Sequence, residues 1–150
     1  MTAYPITVPR YERIGRVRIF GNRYRLLDDW VWYSAHLPPG CGQVCETEFL
    51  RIQRTLAGCV ISIRAGFEWD GATMVPDFWA ARKGSLAHDA LYRYLDAIAY
   101  DFQCEVREAR YWADAVFTEV NKTFGLPFGI RRLYHRGVRW LGGLARRWSR

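Results

Sequence analysis

The chain has 150 residues, half of them hydrophobic and 16% aromatic, which is enough apolar surface for a folded core and excludes an intrinsically disordered segment. Its formal charge is +7, and all of that excess lies after Leu126, where seven arginines stand without an acid, so the body of the chain is close to neutral. No apolar run approaches the roughly 18 residues of a spanning helix, and the start, MTAYPITVPRYERIG, lacks the pattern of a secretory signal.

In chain order, Arg16–Phe20 alternates as RVRIF and Arg23–Leu27 follows after Gly21-Asn22, which predicts a β-hairpin with a two-residue turn. Asp28-Asp29 interrupts it, and Trp30–Ala35 resumes as an aromatic strand. Pro38-Pro39-Gly40 opens a loop that reaches about Val44. Phe49–Leu56 and Cys59–Ile63 are two more strands around Ala57-Gly58. The first 65 residues therefore predict a small, mostly antiparallel sheet. Cys41 and Cys45, with His36 nearby, have a spacing that zinc could use, but a reduced and partly buried set of four cysteines is the simpler reading.

Residues 66–84 carry few periodic signals and read as a motif loop, with Gly84 and Ser85 as the entry to a helix. From Ser85 to Tyr94, and on toward Ala99, the residues Ala87, Leu91, Leu95 and Ile98 form one helical stripe. A second helix, from about Glu105 to Phe124, buries Ala109, Trp112, Ala113, Val116, Val120 and Phe124 and closes at Gly125. Asp114 lies on the flank of that stripe with Arg110 and Asn121. A third helix is expected from about Pro127 to Trp148, with Ile130, Leu133, Tyr134, Gly137, Leu141, Leu144, Ala145 and Trp148 on one side and arginines on the other. The expected fold is α+β: one domain over residues 1–150, with a β-rich part (1–65), a motif loop (66–84) and a helical part (85–150) of about three helices.

The chemistry concentrates in Gly66–Tyr92 and in Asp114. Imidazole loses its proton nearest neutral pH, so His88 on a half-buried helix face can act as a general base. Asp114, on a neighbouring helix, is the carboxylate that would orient it. Asp89 points about 100° away around the helix and, with Asp70 and the Asp70–Thr73 turn, offers oxygens to a hard cation. The bland alternative is a hydrogen-bonded core histidine beside an ordinary turn.

The order G-F-x-x-D-G-A-T-x-x-P (Gly66 to Pro76), H-D-x-L-Y (His88 to Tyr92) and A-D-x-x-F (Ala113 to Phe117) resembles a bacteriophage protein family catalogued as a domain of unknown function. That resemblance implies a phage or prophage origin, in the virion or the host cytoplasm, and brings no activity. At motif level the chain is also similar to small bacterial phospholipases, which carry D-G-C-S-x-x-P-D, H-D-x-x-Y and an Asp on the next helix. This second resemblance implies a calcium-dependent ester hydrolase, with His88 as base, Asp114 and Tyr92 supporting it, and Asp70 and Asp89 holding Ca²⁺. Ala72 stands where those enzymes have a cysteine, so their disulfide is absent. The competing expectation is a non-catalytic phage protein, structural, tail-associated or host-directed, that keeps the motif as a polar network. The arginine-rich segment Arg131–Arg150 is expected to pack on the body with its arginines solvated, or to meet an anionic lipid surface or another phage protein. Nucleic acid is the weaker partner, because no recognised nucleic-acid module accompanies it.

Overall fold

The computed structural model describes residues 5–16, 22–71, 79–127 and 129–132. It shows an α+β fold: antiparallel strands fill the N-terminal half and helices follow them.

The first sheet has the order β1-β2-β7, from β1 (Tyr11–Arg16), β2 (Asn22–Leu26) and β7 (Glu68–Asp70). Period-2 alternation in β2 turns Tyr24 and Leu26 inward and Arg23 and Arg25 outward. The first strand lies earlier than RVRIF suggested, and Asn22 pairs with Arg16 instead of forming a turn. Tyr11 packs edge-on against Tyr24 and Trp69, at centroid distances of 5.3 and 5.5 Å. The pairing shifts register between Arg13 and Gly15, as a bulge does. Residues 17–21 lie outside the described residues.

The second sheet has the order β3-β6-β5-β4, from β3 (Trp30–Ser34), β4 (Val44–Glu46), β5 (Leu50–Thr55) and β6 (Gly58–Ile63). Trp30, Trp32, Leu50, Ile52, Ile61 and Ile63 face the core. Beyond its edge, the Arg54 guanidinium gathers the loop before β4. Its Nη2 donates to the carbonyls of Pro38 (2.7 Å), Pro39 (3.2 Å) and Gly40 (2.9 Å), and its Nε donates to that of Gly42 (2.8 Å).

The helices are α1 (Trp79–Arg93), α2 (Leu95–Phe102) and α3 (Val106–Thr123). Thus β7 and the first turns of α1 occupy much of the span expected as a motif loop, on either side of residues 72–78, which lie outside the described residues. Gly84 is inside α1, not at its entry. Tyr94 separates α1 from α2, and Gln103 (φ 56°) ends α2. α3 begins where expected: the Glu108 carboxylate accepts from the Glu105 backbone N–H at 2.9 Å. It ends at Gly125 (φ 81°). Residues 129–132 are helical, and Arg131 N–H donates to the Pro127 carbonyl at 2.9 Å. The rest of the expected third helix, 133–150, lies outside the described residues.

The predicted stripes are buried, Ala87, Leu91, Leu95 and Ile98 on α1 and α2, and Ala109, Trp112, Ala113, Val116 and Val120 on α3, while Phe124 beyond the end of α3 is half-buried. α3 is fixed to the second sheet through Glu119, which accepts from Trp32 Nε1 (3.0 Å) and the Ala35 N–H (2.9 Å). Trp112 Nε1 donates to the His36 carbonyl at 3.1 Å. α1 is fixed to the first sheet by Arg93, which lies over the Phe67 ring and donates to the Glu68 carbonyl at 2.8 Å. His88, Asp89, Tyr92 and Asp114 therefore stand on two helices, each tied to a different sheet.

Candidate functional site

The facing surfaces of α1 and α3 run antiparallel and carry a line of polar side chains through an otherwise apolar contact. Gly84, His88 and Tyr92 are spaced one helical turn apart on α1, and Arg110, Asp114, Phe117 and Asn121 follow in turn on α3. Tyr92 Oη donates to Asp114 Oδ1 at 2.6 Å and accepts from Arg110 Nε at 3.3 Å. His88 Nε2 faces the same Asp114 oxygen at 3.7 Å, and His88 Nδ1 faces Asp89 Oδ1 at 3.5 Å. The imidazole stacks on the Tyr92 ring at 3.9 Å and meets Phe117 edge-on at 5.2 Å.

The structure thus brings His88, Tyr92, Asp89 and Asp114 together. The direct His88–Asp114 hydrogen bond expected from the sequence is not formed: 3.7 Å is too long, and the Asp114 oxygen is taken by the Tyr92 hydroxyl. Asp114 is buried at 4% side-chain exposure, His88 keeps 12% and Asp89 33%. Access to the imidazole is therefore from the Asp89 side.

Burial of the imidazole pulls its pKa down, but Asp114 and Asp89 at its two edges outweigh this and hold it above the ordinary histidine value. Although a third of the Asp89 side chain reaches solvent, its carboxylate is crowded enough that burial raises its pKa. His88 opposes that rise, and the like charge of Asp70 adds to it. Burial, then the hydrogen bond to Asp114, raises the pKa of Tyr92 and keeps it a neutral donor.

Asp70 ends β7, exposed, opposite Arg23. The chemistry of this donor set suits a hard cation, since two carboxylates that disfavour each other's charge are relieved by a positive ion between them. Among the described residues no three His, Cys, Asp or Glu side chains gather as a metal group. The turn beyond Gly71, including Thr73, Pro76 and Asp77, lies outside the described residues. Cys41 is exposed and donates to Gln103 Oε1 at 3.0 Å, whereas Cys45 is enclosed in the second sheet, where burial pushes its thiol up to about 12.

Arg110 and Lys83 were not among the expected site residues, and they differ in the signal the sequence carried. Arg110 had one, its position four residues before Asp114 on the same helix face. Lys83 had none: its ammonium is fully buried over the Trp79 ring, donates to the Trp79 carbonyl at 3.1 Å and lies 5.1 Å from the centre of Phe124.

Gly84 is required by packing. A Cβ there would lie 2.1 Å from Asn121 Oδ1, so glycine is what lets α3 close on α1. Alanine normally improves a helix interior by up to about 1 kcal/mol, but overpacking typically costs about 1–3 kcal/mol. Gly84→Ala is expected to be destabilising by about 1–2 kcal/mol in urea titrations, and a gain in stability would mean that Asn121 yields freely.

Comparison with protein-family models, curated proteins and solved structures returns no match.

Proposed function

We propose that this is a phage- or prophage-encoded hydrolase of carboxylic esters, acting in the virion or the host cytoplasm, with His88 as its general base. The observation that carries the reading is the double flanking of one imidazole, by Asp114 at Nε2 and Asp89 at Nδ1, with Asp114 held by Tyr92. With the proton on Nε2 toward Asp114, the Nδ1 lone pair faces the solvent-accessible side. There it removes a proton from water as the oxygen adds to the ester carbonyl carbon. Collapse of the tetrahedral adduct breaks the C–O bond, and the imidazolium returns its proton to the leaving alkoxide. Asp70 and Asp89 would hold Ca²⁺, which when bound supplies positive charge to the carbonyl oxygen.

The lipid-like substrate class rests on the motif-level similarity to small phospholipases. No helix of the described residues is long and apolar enough to cross a membrane. Contact with an anionic lipid surface or another phage protein is proposed for Arg131–Arg150, of which Arg131 and Arg132 are described.

A second reading, a non-catalytic phage protein with a stabilising polar network, is favoured by the 12% exposure of His88 and by the 3.7 Å gap to Asp114. Hydrolysis of a short-chain nitrophenyl ester and of mixed phosphatidylcholine–phosphatidylglycerol micelles, with calcium or with a chelator, separates the two. The hydrolase reading expects calcium-dependent turnover that falls about 10²–10⁴-fold in His88→Asn and also falls in Asp89→Asn. No turnover above a buffer blank, or turnover unchanged in His88→Asn, leaves the network reading.

A further inference from the structure

Arg93 closes α1 and is exposed, yet its guanidinium is held in one place. The group lies over the Phe67 ring, 4.3 Å from its centre, and Nη2 donates to the Glu68 carbonyl at 2.8 Å. A planar group fixed by a ring face and one bond keeps its other N–H donors in a set direction. Both carboxylates beside it are engaged elsewhere. Glu68 takes Arg25 Nη2 at 2.7 Å and Arg23 Nη2 at 3.3 Å. Asp89, one helical turn before Arg93 on the same face, turns its Oδ1 toward His88 Nδ1 at 3.5 Å. Among the described residues no carboxylate forms an ion pair with Arg93, and its hydrogen bond is the one to Glu68. Its orientation is fixed while its charge is unmatched.

The same guanidinium borders the accessible side of the imidazole. Asp89 stands between His88 and Arg93, close enough to both for their charges to act on it. Side chains spaced as Asp89 and Arg93 are have Cβ atoms about 5–6 Å apart. β7 lies across from this edge of α1, since Arg93 binds Glu68 and the charge of Asp70 reaches Asp89. We propose that Arg93 is a specificity-determining residue, binding an oxyanion, carboxylate or phosphate, that the ester carries a few bonds from its scissile carbonyl. The guanidinium has more N–H donors than the Glu68 bond uses, so a parallel pair remains for two oxygens of such a group. A neutral ester of the same size makes neither bond. The substrate class is thereby narrowed from esters to anionic esters.

The specificity rests on the hydrolase reading, but the oxyanion site is measured without turnover, so the two fail separately. Nitrophenyl butyrate and the nitrophenyl half-ester of succinate have acyl chains of equal length and differ by one carboxylate. In Arg93→Gln the ratio of kcat/KM for succinate over butyrate should fall about tenfold or more, mostly through KM, as loss of a hydrogen bond to a charged group implies. Arg93→Lys, which keeps the charge and loses the fork, should fall less. Inorganic phosphate should compete with the succinate ester. On ¹⁵N-labelled full-length protein, phosphate should shift the Arg93 Nε–H signal, assigned by its loss in Arg93→Gln, and chloride at equal ionic strength should not. A residue that only straps α1 to β7 would slow both esters equally, so an unchanged ratio overturns the inference. An Nε–H signal that phosphate leaves in place overturns it too, as does a phosphate shift without competition, which marks a site for free phosphate. If the glutamine variant does not fold, the lysine variant and the phosphate titration of the wild type decide. A phosphate shift without any ester hydrolysis overturns the hydrolase reading alone and leaves the oxyanion site standing.

Discussion

Asp114→Ala should lose about 3–5 kcal/mol of stability, the usual cost of removing one partner from a buried charged pair. The carboxylate is 4% exposed and accepts the Tyr92 hydroxyl at 2.6 Å, so truncation strands both that hydroxyl and the nearby imidazole. Asp114→Asn keeps an acceptor of the same shape and should cost only about 1 kcal/mol. Tyr92→Phe removes the donor and should fall between them, at about 1–3 kcal/mol. Urea denaturation at neutral pH measures all three. If alanine costs no more than asparagine, the carboxylate is not what binds α1 to α3.

Lys83→Met should stabilise the protein at pH 7, by about 1–3 kcal/mol, because an apolar chain of similar length replaces a buried cation. Burial, and then the neighbouring Arg82, lower the pKa of Lys83 to about 8. Among the described residues no carboxylate forms an ion pair with Lys83. The ordinary lysine value is 10.5, so between about 8 and 10.5 the unfolded chain binds the proton more readily than the folded one. The wild type is thus penalised in full below about 8 and gains relative stability as pH rises through that window. The advantage of the methionine variant should be greatest at neutral pH and fade toward pH 10.5. Paired thermal melts across the range test it, and a difference that does not vary with pH would mean that Lys83 stays charged throughout.

Much of the architecture was legible because burial leaves a period in the sequence. Trp30, Trp32, Ile61 and Ile63 alternate, and Ala109, Trp112, Ala113, Val116 and Val120 recur at helical spacing. The first strand, YERIGR, carries no period of two, so period pointed to RVRIF instead. The start of α1 was hidden because Gly84 is a usual sign of a helix boundary, whereas here it answers to a side chain on another helix. Helical spacing put His88 and Asp114 on facing surfaces. It could not say that the Tyr92 hydroxyl would reach the carboxylate first, since that depends on side-chain length and helix offset. Lys83 was not legible at all, because lysine is a surface residue by default and its burial is set by Trp79 and Phe124.

The Pro38–Gly42 loop held by Arg54 has a consequence for how the chain opens. Its carbonyls are bound by the guanidinium, and the Cys41 and Gly42 amides donate to the Phe102 carbonyl at 3.0 and 3.2 Å. A segment without regular secondary structure is thereby joined from one side to β5 and from the other to the end of α2. The Cys41 and Gly42 amide protons should exchange with solvent as slowly as those of the strands, and proteases that need several residues of loose chain should leave the loop uncut until the whole domain unfolds. Lysine at position 54 would present a single ammonium where the planar fork now spans four carbonyls. The loop would then open on its own, as a separate and earlier step.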